Sequence, residues 1–290
     1  MLLPNPVFAR HETFHPRFGW LKKGFDVASK DAEIFTREDA SVLLGVGKNM
    51  VRSIRYWCSA FKVLADDKPT DFGEKLLGDK GWDPFLEAPA SLWWLHWKLL
   101  EPPCNATAWY FTFHIFRQVE FSVGELLDAL SKYVETLDIR VAESSLKKDI
   151  SCILRMYAEP DTNKTSLIED SINCPFAELG IIDFGSKTKY YNFRVGIKNN
   201  LPPEVVVAAC LEFADRCGEQ KTIAISKLCY ETGSPGLAFK LSESAICEAI
   251  ERVEGLFDAI ALSESGGLVL LSFKQNAFKL AEAILNSYYR

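Results

Sequence analysis

The densest set of side chains able to do chemistry lies near the start of the chain. Arg10, His11, Glu12, His15 and Arg17 stand close together among aromatic residues. Arginine holds phosphate with a planar fork of donors. A carboxylate or an imidazole holds a cation or moves a proton. These five are therefore the candidate catalytic residues, Glu12 or a histidine serving metal or proton and Arg10 and Arg17 serving phosphate. They suit equally well a structural loop whose charged groups pair with one another. His11-Glu12-Thr13-Phe14-His15 also spells the HExxH zinc pattern. That pattern works only on a helix, where both histidines face one metal. Pro16 biases His15 out of helical geometry, and no third ligand follows, so no metal ligand is assigned.

A second group, residues 36–61, predicts a helix, a short turn and a helix. Thr36 and Asp39 stand at capping-box spacing for a first helix running to about Leu44. Gly45-Val46-Gly47 supplies the turn. The second helix places Met50, Ile54, Trp57 and Phe61 on one apolar face. Lys48, Arg52, Arg55 and Ser59 fall on the opposite face, and no acid lies between Gly45 and Phe61. A buried stripe with a basic outer face is what a helix-turn-helix presents to a DNA major groove. A helical hairpin with a solvated basic face has the same pattern. Lys48, Asn49, Arg52 and Arg55 are the candidate DNA contacts. Val63 to Pro69 then predicts a short strand and turn, the place of a wing. Thr70 to Leu77 is either the return strand or a short capped helix.

These groups must be positioned by the elements around them. A helix over 18–28 is expected to pack on the helix-turn-helix. Gly45-Val46-Gly47-Lys48 lacks the spacing and the hydroxyl of a phosphate-binding P-loop, so no ATPase activity and no nucleotide cofactor are expected. Ser91 to Leu100, with three tryptophans, is apolar almost all round and predicts a buried helix rather than a base-stacking platform. Residues 109–119 are strongly aromatic and also predict helix. Ser122 and Glu125 at capping-box spacing open a helix to about Leu137. The next, 144–157, buries Leu146, Ile150, Ile153 and Tyr157 and turns out Lys148, Ser151 and Arg155. Residues 121–157 thus form a second helix-turn-helix-like unit, with Lys148 and Arg155 as its DNA contacts. The polar run Glu159 to Thr165 divides a helical region, 1–158, from an α+β domain, 165–290.

Strands are expected at 181–184 and 190–195. Lys187 and Lys189, interleaved with aromatics, suit single-stranded nucleic acid, although a hairpin with a buried aromatic face is favoured. Pro202-Pro203-Glu204 starts a helix with proline in its first turn. Residues 242–254, followed by strands 257–262 and 268–273 around Gly266-Gly267, make a winged-helix-like end. Its outward Glu248, Glu251 and Arg252 suit a packing or protein contact rather than phosphate. Residues 274–289 predict a closing helix.

The 290 residues, 48% apolar and 25% charged, fit a globular chain of about two domains. No run of about 18 apolar residues predicts a membrane span, and the opening lacks the pattern of a secretory signal. Eight scattered cysteines without a CxxC pair predict reduced thiols and a cytoplasmic protein. The net charge of −6 is uneven: residues 1–60 carry nine Lys/Arg against six Asp/Glu, residues 201–290 eight against twelve. A DNA contact therefore belongs to the front or middle of the chain. The expected fold class is mainly α with small β-hairpins, an α+β chain with tandem winged-helix or helix-turn-helix-like units.

Three stretches, PVFARHETFHPRFGWLKKG, LGVGKNMVRSIRYWC and FGEKLLGDKGWDPFLEAPASLWWLHWKL, resemble a bacterial family first catalogued as a domain of unknown function. Its members occur beside sulfur-transfer enzymes in DNA phosphorothioation gene clusters, and the best-described are the B subunits of the Ssp-type anti-phage defence system. The resemblance implies DNA nicking alongside three partners, a cysteine desulfurase, an ATPase and an ATP-pyrophosphatase-like sulfur-transfer subunit. It maps no catalytic set. Three functions follow: a nickase using magnesium or manganese, a non-catalytic winged-helix DNA-binding subunit, and a transcriptional regulator. Helix-turn-helix proteins often act as homodimers, while two such units in one chain remove the need.

Overall fold

A computed structural model describes residues 5–158, 174–185 and 189–290. The expected domain boundary, Glu159 to Thr165, and Lys187 lie outside the described residues. The chain is α+β, mainly helical with small antiparallel sheets. It forms two compact units. One comprises residues 1–87 and 98–194, the other 88–97 and 195–290.

In the first unit, helix α1 (Trp20–Lys30) packs on helix α3 (Lys48–Ala60). Their approach is close at Gly24, where an added Cβ would meet the Cys58 sulfur and lie 2.8 Å from Ile54 Cγ2. Helix α2 (Ala40–Leu44) ends at Gly45, whose φ of 64° turns the chain toward α3. The capping box expected at Thr36 and Asp39 does not form. Thr36 instead closes a short 3-10 turn by donating to the Glu33 carbonyl at 2.8 Å. The Asp39 carboxylate is taken by the guanidinium of Arg37, both bonds 2.8 Å. Strands β1 (Leu64–Ala65) and β2 (Lys68–Pro69) pair around Asp66-Asp67. Helix α4 (Asp71–Leu77) follows, capped by the Thr70 hydroxyl, so this segment is the short helix and not a strand.

Helix α5 (Pro89–Leu100) leads to the short helix α6 (Thr107–Tyr110), which widens through Ile115. Only the first part of 109–119 is therefore helical. Strand β3 (Glu120–Phe121) precedes α7 (Val123–Thr136), where Ser122 and Glu125 form the expected reciprocal capping box. Helix α8 (Glu143–Tyr157) follows. Strands β4 (Ile182–Gly185) and β5 (Tyr190–Phe193) form a hairpin, and β3 joins its β5 edge in the order β3-β5-β4. The core is aromatic: Phe61 stacks on Phe176 at 4.9 Å, and Phe121 and Phe113 both meet Phe193.

The second unit is built around α9 (Pro203–Arg216), buried from Val205 through Ala214. Strand β6 (Thr222–Ala224), α10 (Ile225–Tyr230), α11 (Pro235–Phe239) and α12 (Glu243–Glu254) lead to β7 (Ile260–Ser265) and β8 (Leu268–Phe273). The sheet order is β6-β8-β7, all antiparallel. Helix α13 (Ala277–Tyr288) packs on α9. The α5 tryptophans of this unit are core: Trp93 meets Phe239 edge-on at 5.6 Å, and Trp97 Nε1 donates to Glu212 at 2.8 Å.

Candidate nucleic-acid interface

The segment carrying Arg10 to His15 is a tight non-helical loop. Ala9, Glu12 and Thr13 have φ of 52°, 51° and 69°, values that L-residues other than Asn and Asp seldom adopt. The polar backbone of the loop is bound from several sides. The Asp149 carboxylate accepts from Ala9 N at 2.9 Å and from His11 Nε2 at 2.8 Å. Arg155 Nη2 donates to the Thr13 carbonyl at 2.8 Å, and Trp57 Nε1 to the Phe14 carbonyl at 3.0 Å.

His11 has no exposed surface. Its ring stacks on Trp57 at 6.1 Å and meets the edge of Trp109 at 5.7 Å. The HExxH segment is not a helix: His11 faces a buried carboxylate, and His15 is buried as well. Burial pushes the Asp149 carboxyl above its ordinary value, while the His11 hydrogen bond works in the opposite direction. Arg17 lies over the rings of Phe14 and Trp20, 5.6 and 5.4 Å from their centroids. Burying His11 turns its neighbours Arg10 and Glu12 outward, and both line an open cleft.

That cleft, about 510 Å³, is completed by Arg52, Arg55, Tyr56 and Ser59 of α3, by Asp66 and Asp67 of the β1–β2 turn, and by Val7 and Asn105. The structure thus brings together four of the predicted residues, Arg10, Glu12, Arg52 and Arg55. The buried stripe of α3 is Val51, Ile54, Trp57 and Cys58, continued by Phe61; Met50 is only half-buried. Lys48, Asn49, Arg52 and Arg55 are all exposed. The basic face is opposed by acids that do not belong to the helix. Asp67 accepts both Nε and Nη2 of Arg55, at 2.8 and 2.6 Å, and Glu12 lies 3.8 Å from Arg52. Tyr56 donates to the Asn105 carbonyl at 3.1 Å. Burial pushes its phenol well above the ordinary value. A second cleft of about 460 Å³, lined in part by Arg37, Lys48 and Arg52, adjoins the same helix.

On α8, Lys148, Ser151 and Arg155 are exposed and Leu146, Ile150, Ile153 and Tyr157 buried, as their spacing predicts. Arg155, though exposed, is engaged with the loop. Lys189 is exposed at the β4–β5 turn with φ 59°, and Phe193 supplies the hairpin's buried aromatic face.

Asp149, Asp66 and Asp67 were missed from sequence. Asp149 had a signal, for it sits three residues after Leu146 on the face that α8 buries, where an unpaired acid is costly. Asp66 and Asp67 are remote from α3 in sequence until the hairpin closes. Among the described residues, no three His, Cys, Asp or Glu side chains converge as a metal site. No helix there is long and apolar enough to cross a membrane.

A family described as a protein of unknown function (DUF4007) matches residues 8–289. The chain belongs to this family. Two solved structures are similar over nearly its whole length. One, a magnesium ion-bound SspB crystal structure, has a TM-score of 0.92 and 36% identity, covering 98% of this chain and 88% of that one. An SspB crystal structure has a TM-score of 0.91 with the same identity and coverage. Comparison with curated proteins gave no match. The resemblance to the Ssp-type B subunit is thereby carried by fold and sequence together.

Proposed function

We propose that this protein is a DNA-binding subunit of a DNA phosphorothioation system of the Ssp type, and that it nicks DNA at the cleft of the first unit. The observation that carries this reading is the meeting of Arg10, Arg52 and Arg55 with Glu12 in one open cleft. Guanidinium forks hold backbone phosphates. Helices α2 and α3 with the β1–β2 hairpin act as a winged helix, Lys48 and Asn49 extending the contact along α3. Helices α7 and α8, with Lys148, act as a second helix-turn-helix-like unit, and Lys189 adds a cation beyond them. The α12–β7–β8 region is a third winged-helix-like piece, and its acidic face suits a partner protein.

Hydrolysis breaks a phosphorus–oxygen bond as water adds to phosphorus, and the departing sugar oxygen takes a proton from solvent. Glu12 accepts the water's proton, while Arg10 and Arg52 hold the charged phosphate oxygens. His11 and His15, both buried, position the loop. The described residues offer no all-protein cage, but a cation of magnesium's habit needs only one or two carboxylates beside substrate phosphate. Asp66, exposed on the cleft, supplies such a carboxylate. Magnesium or manganese bound there would neutralise charge between this acid and the phosphate. No nucleotide cofactor is proposed. The expected partners are a cysteine desulfurase, an ATPase and an ATP-pyrophosphatase-like sulfur-transfer subunit, all cytoplasmic.

The burial of both histidines favours a second reading, a DNA-binding subunit that cuts nothing. A supercoiled-plasmid assay with magnesium, manganese or EDTA separates the two when run beside a gel shift. Metal-dependent open circles that vanish in Glu12→Gln support the nickase. A shift without open circles supports the binding subunit.

A further inference from the structure

We propose that Asp149 and Arg155 of α8 are positioning residues that hold the Ala9–Phe14 loop in the shape that presents Arg10 and Glu12 to the cleft. The inference rests on the reading that this cleft meets DNA, and adds residues that do not themselves touch it.

The loop has no regular hydrogen-bond ladder to stabilise it, and three of its non-glycine residues hold positive φ. Something outside must fix it. Asp149 does so at one end, accepting from Ala9 N and His11 Nε2 together. Both side chains are almost fully excluded from water, so the pair has nowhere else to turn. Arg155 does so at the other end through the Thr13 carbonyl, while Nε of the same guanidinium donates to the Ser151 carbonyl of its own helix at 3.2 Å. A guanidinium anchored to its own helix and to the loop is a brace. Between the two fixed ends lie Arg10 and Glu12, the loop residues that line the cleft.

Direct phosphate contact by Arg155 predicts something different, and a mutant cycle on the full-length chain separates the two. Affinity for a fluorescein-labelled duplex is measured over a potassium chloride series for Arg155→Met, Arg10→Met and the double variant. A brace acts through Arg10. Each single variant then weakens binding several-fold and lowers the salt slope by about 0.9, the value for one phosphate contact, and the double variant is no worse than Arg10→Met. Additive losses, with a slope lower by about 1.8 in the double variant, would overturn the proposal.

Tryptic cleavage after Arg10 reads the loop without DNA. It accelerates in Arg155→Met and in Asp149→Asn if the clamp is real, and unchanged cleavage in the folded Arg155→Met protein sinks it. If Arg10→Met leaves affinity unaltered, the DNA reading of the cleft fails. Faster cleavage would then still establish the clamp, and unchanged cleavage would reject both.

Discussion

His11 lies between the Trp57 ring face and the Asp149 carboxylate, with no surface left for substrate. Removing one partner of a buried pair leaves the other charge or dipole without compensation, which costs about 3–5 kcal/mol. His11→Ala should therefore lower the urea midpoint sharply, whereas Glu12→Gln, at the cleft, should leave it nearly unchanged. Equal and small effects would mean that the loop does not depend on its buried imidazole. The cysteines follow the same logic of burial. Six of the eight are buried, and Cys217 and Cys247 are half-buried. Desolvation pushes Cys104 up to about 11 and Cys174 to about 12, and raises Cys58, Cys152 and Cys210 as well. A sulfur carrier needs an accessible thiol of low pKa, and these are core residues. Titration with Ellman's reagent should count at most two fast thiols in the native protein and eight after denaturation; a fast third thiol would contradict this packing.

At the scale of elements, the α1–α3 crossing places the basic face. Gly24 has no room for a methyl against Ile54 and the Cys58 sulfur. Overpacking of this kind typically costs about 1–3 kcal/mol, so Gly24→Ala should lower the melting temperature measurably, and an unaltered melt would show that the helices can part. The face of α3 was legible from spacing because 3.6-residue periodicity is local. So were the Ser122 cap and the glycine turn after Leu44. Thr36 was misread because Arg37, adjacent in sequence, competes for the Asp39 carboxylate. Strands β3 and β6, two and three residues long, carry too few positions to show a period, and they exist through pairing with β5 and β8. Arg10, Glu12 and Arg52 were legible as candidates, yet their meeting was not. It depends on Asp149, more than a hundred residues away, holding the loop.

Over the whole chain, buried titratable groups set how stability responds to acid. His96 donates to the Ala238 carbonyl at 3.0 Å in the second unit, and burial pushes its imidazole down to about 3 from 6.5. Between those values the unfolded chain binds the proton and the native one does not, so stability falls as pH drops through this window. Asp149 has the opposite sign. Its folded value is raised above 3.8, so the unfavourable burial of its charge is relieved as pH falls toward 3.8. His96→Asn, which keeps a donor for Ala238, should therefore lose less stability than wild type when the urea midpoint is compared at neutral pH and near pH 4.5. An identical loss in both would remove His96 from the account.

Net charge does not favour wholesale DNA coating, for the chain carries −6 and the cleft sets Glu12, Asp66 and Asp67 against its three arginines. On the proposed reading, DNA affinity rests on where the guanidinium groups point. The most direct test is the affinity of Arg52→Glu for duplex DNA over a salt series, with a thermal melt on the same sample. Arg52 is two-thirds exposed and its one ion-pair contact among the described residues, Glu12 at 3.8 Å, is long, so stability should change by no more than about 0.5 kcal/mol. Affinity should be lower by roughly tenfold at low salt and the salt slope less steep by about 0.9 or more, with the melting temperature unmoved. Wild-type affinity and slope in this folded variant would contradict the DNA reading of the cleft.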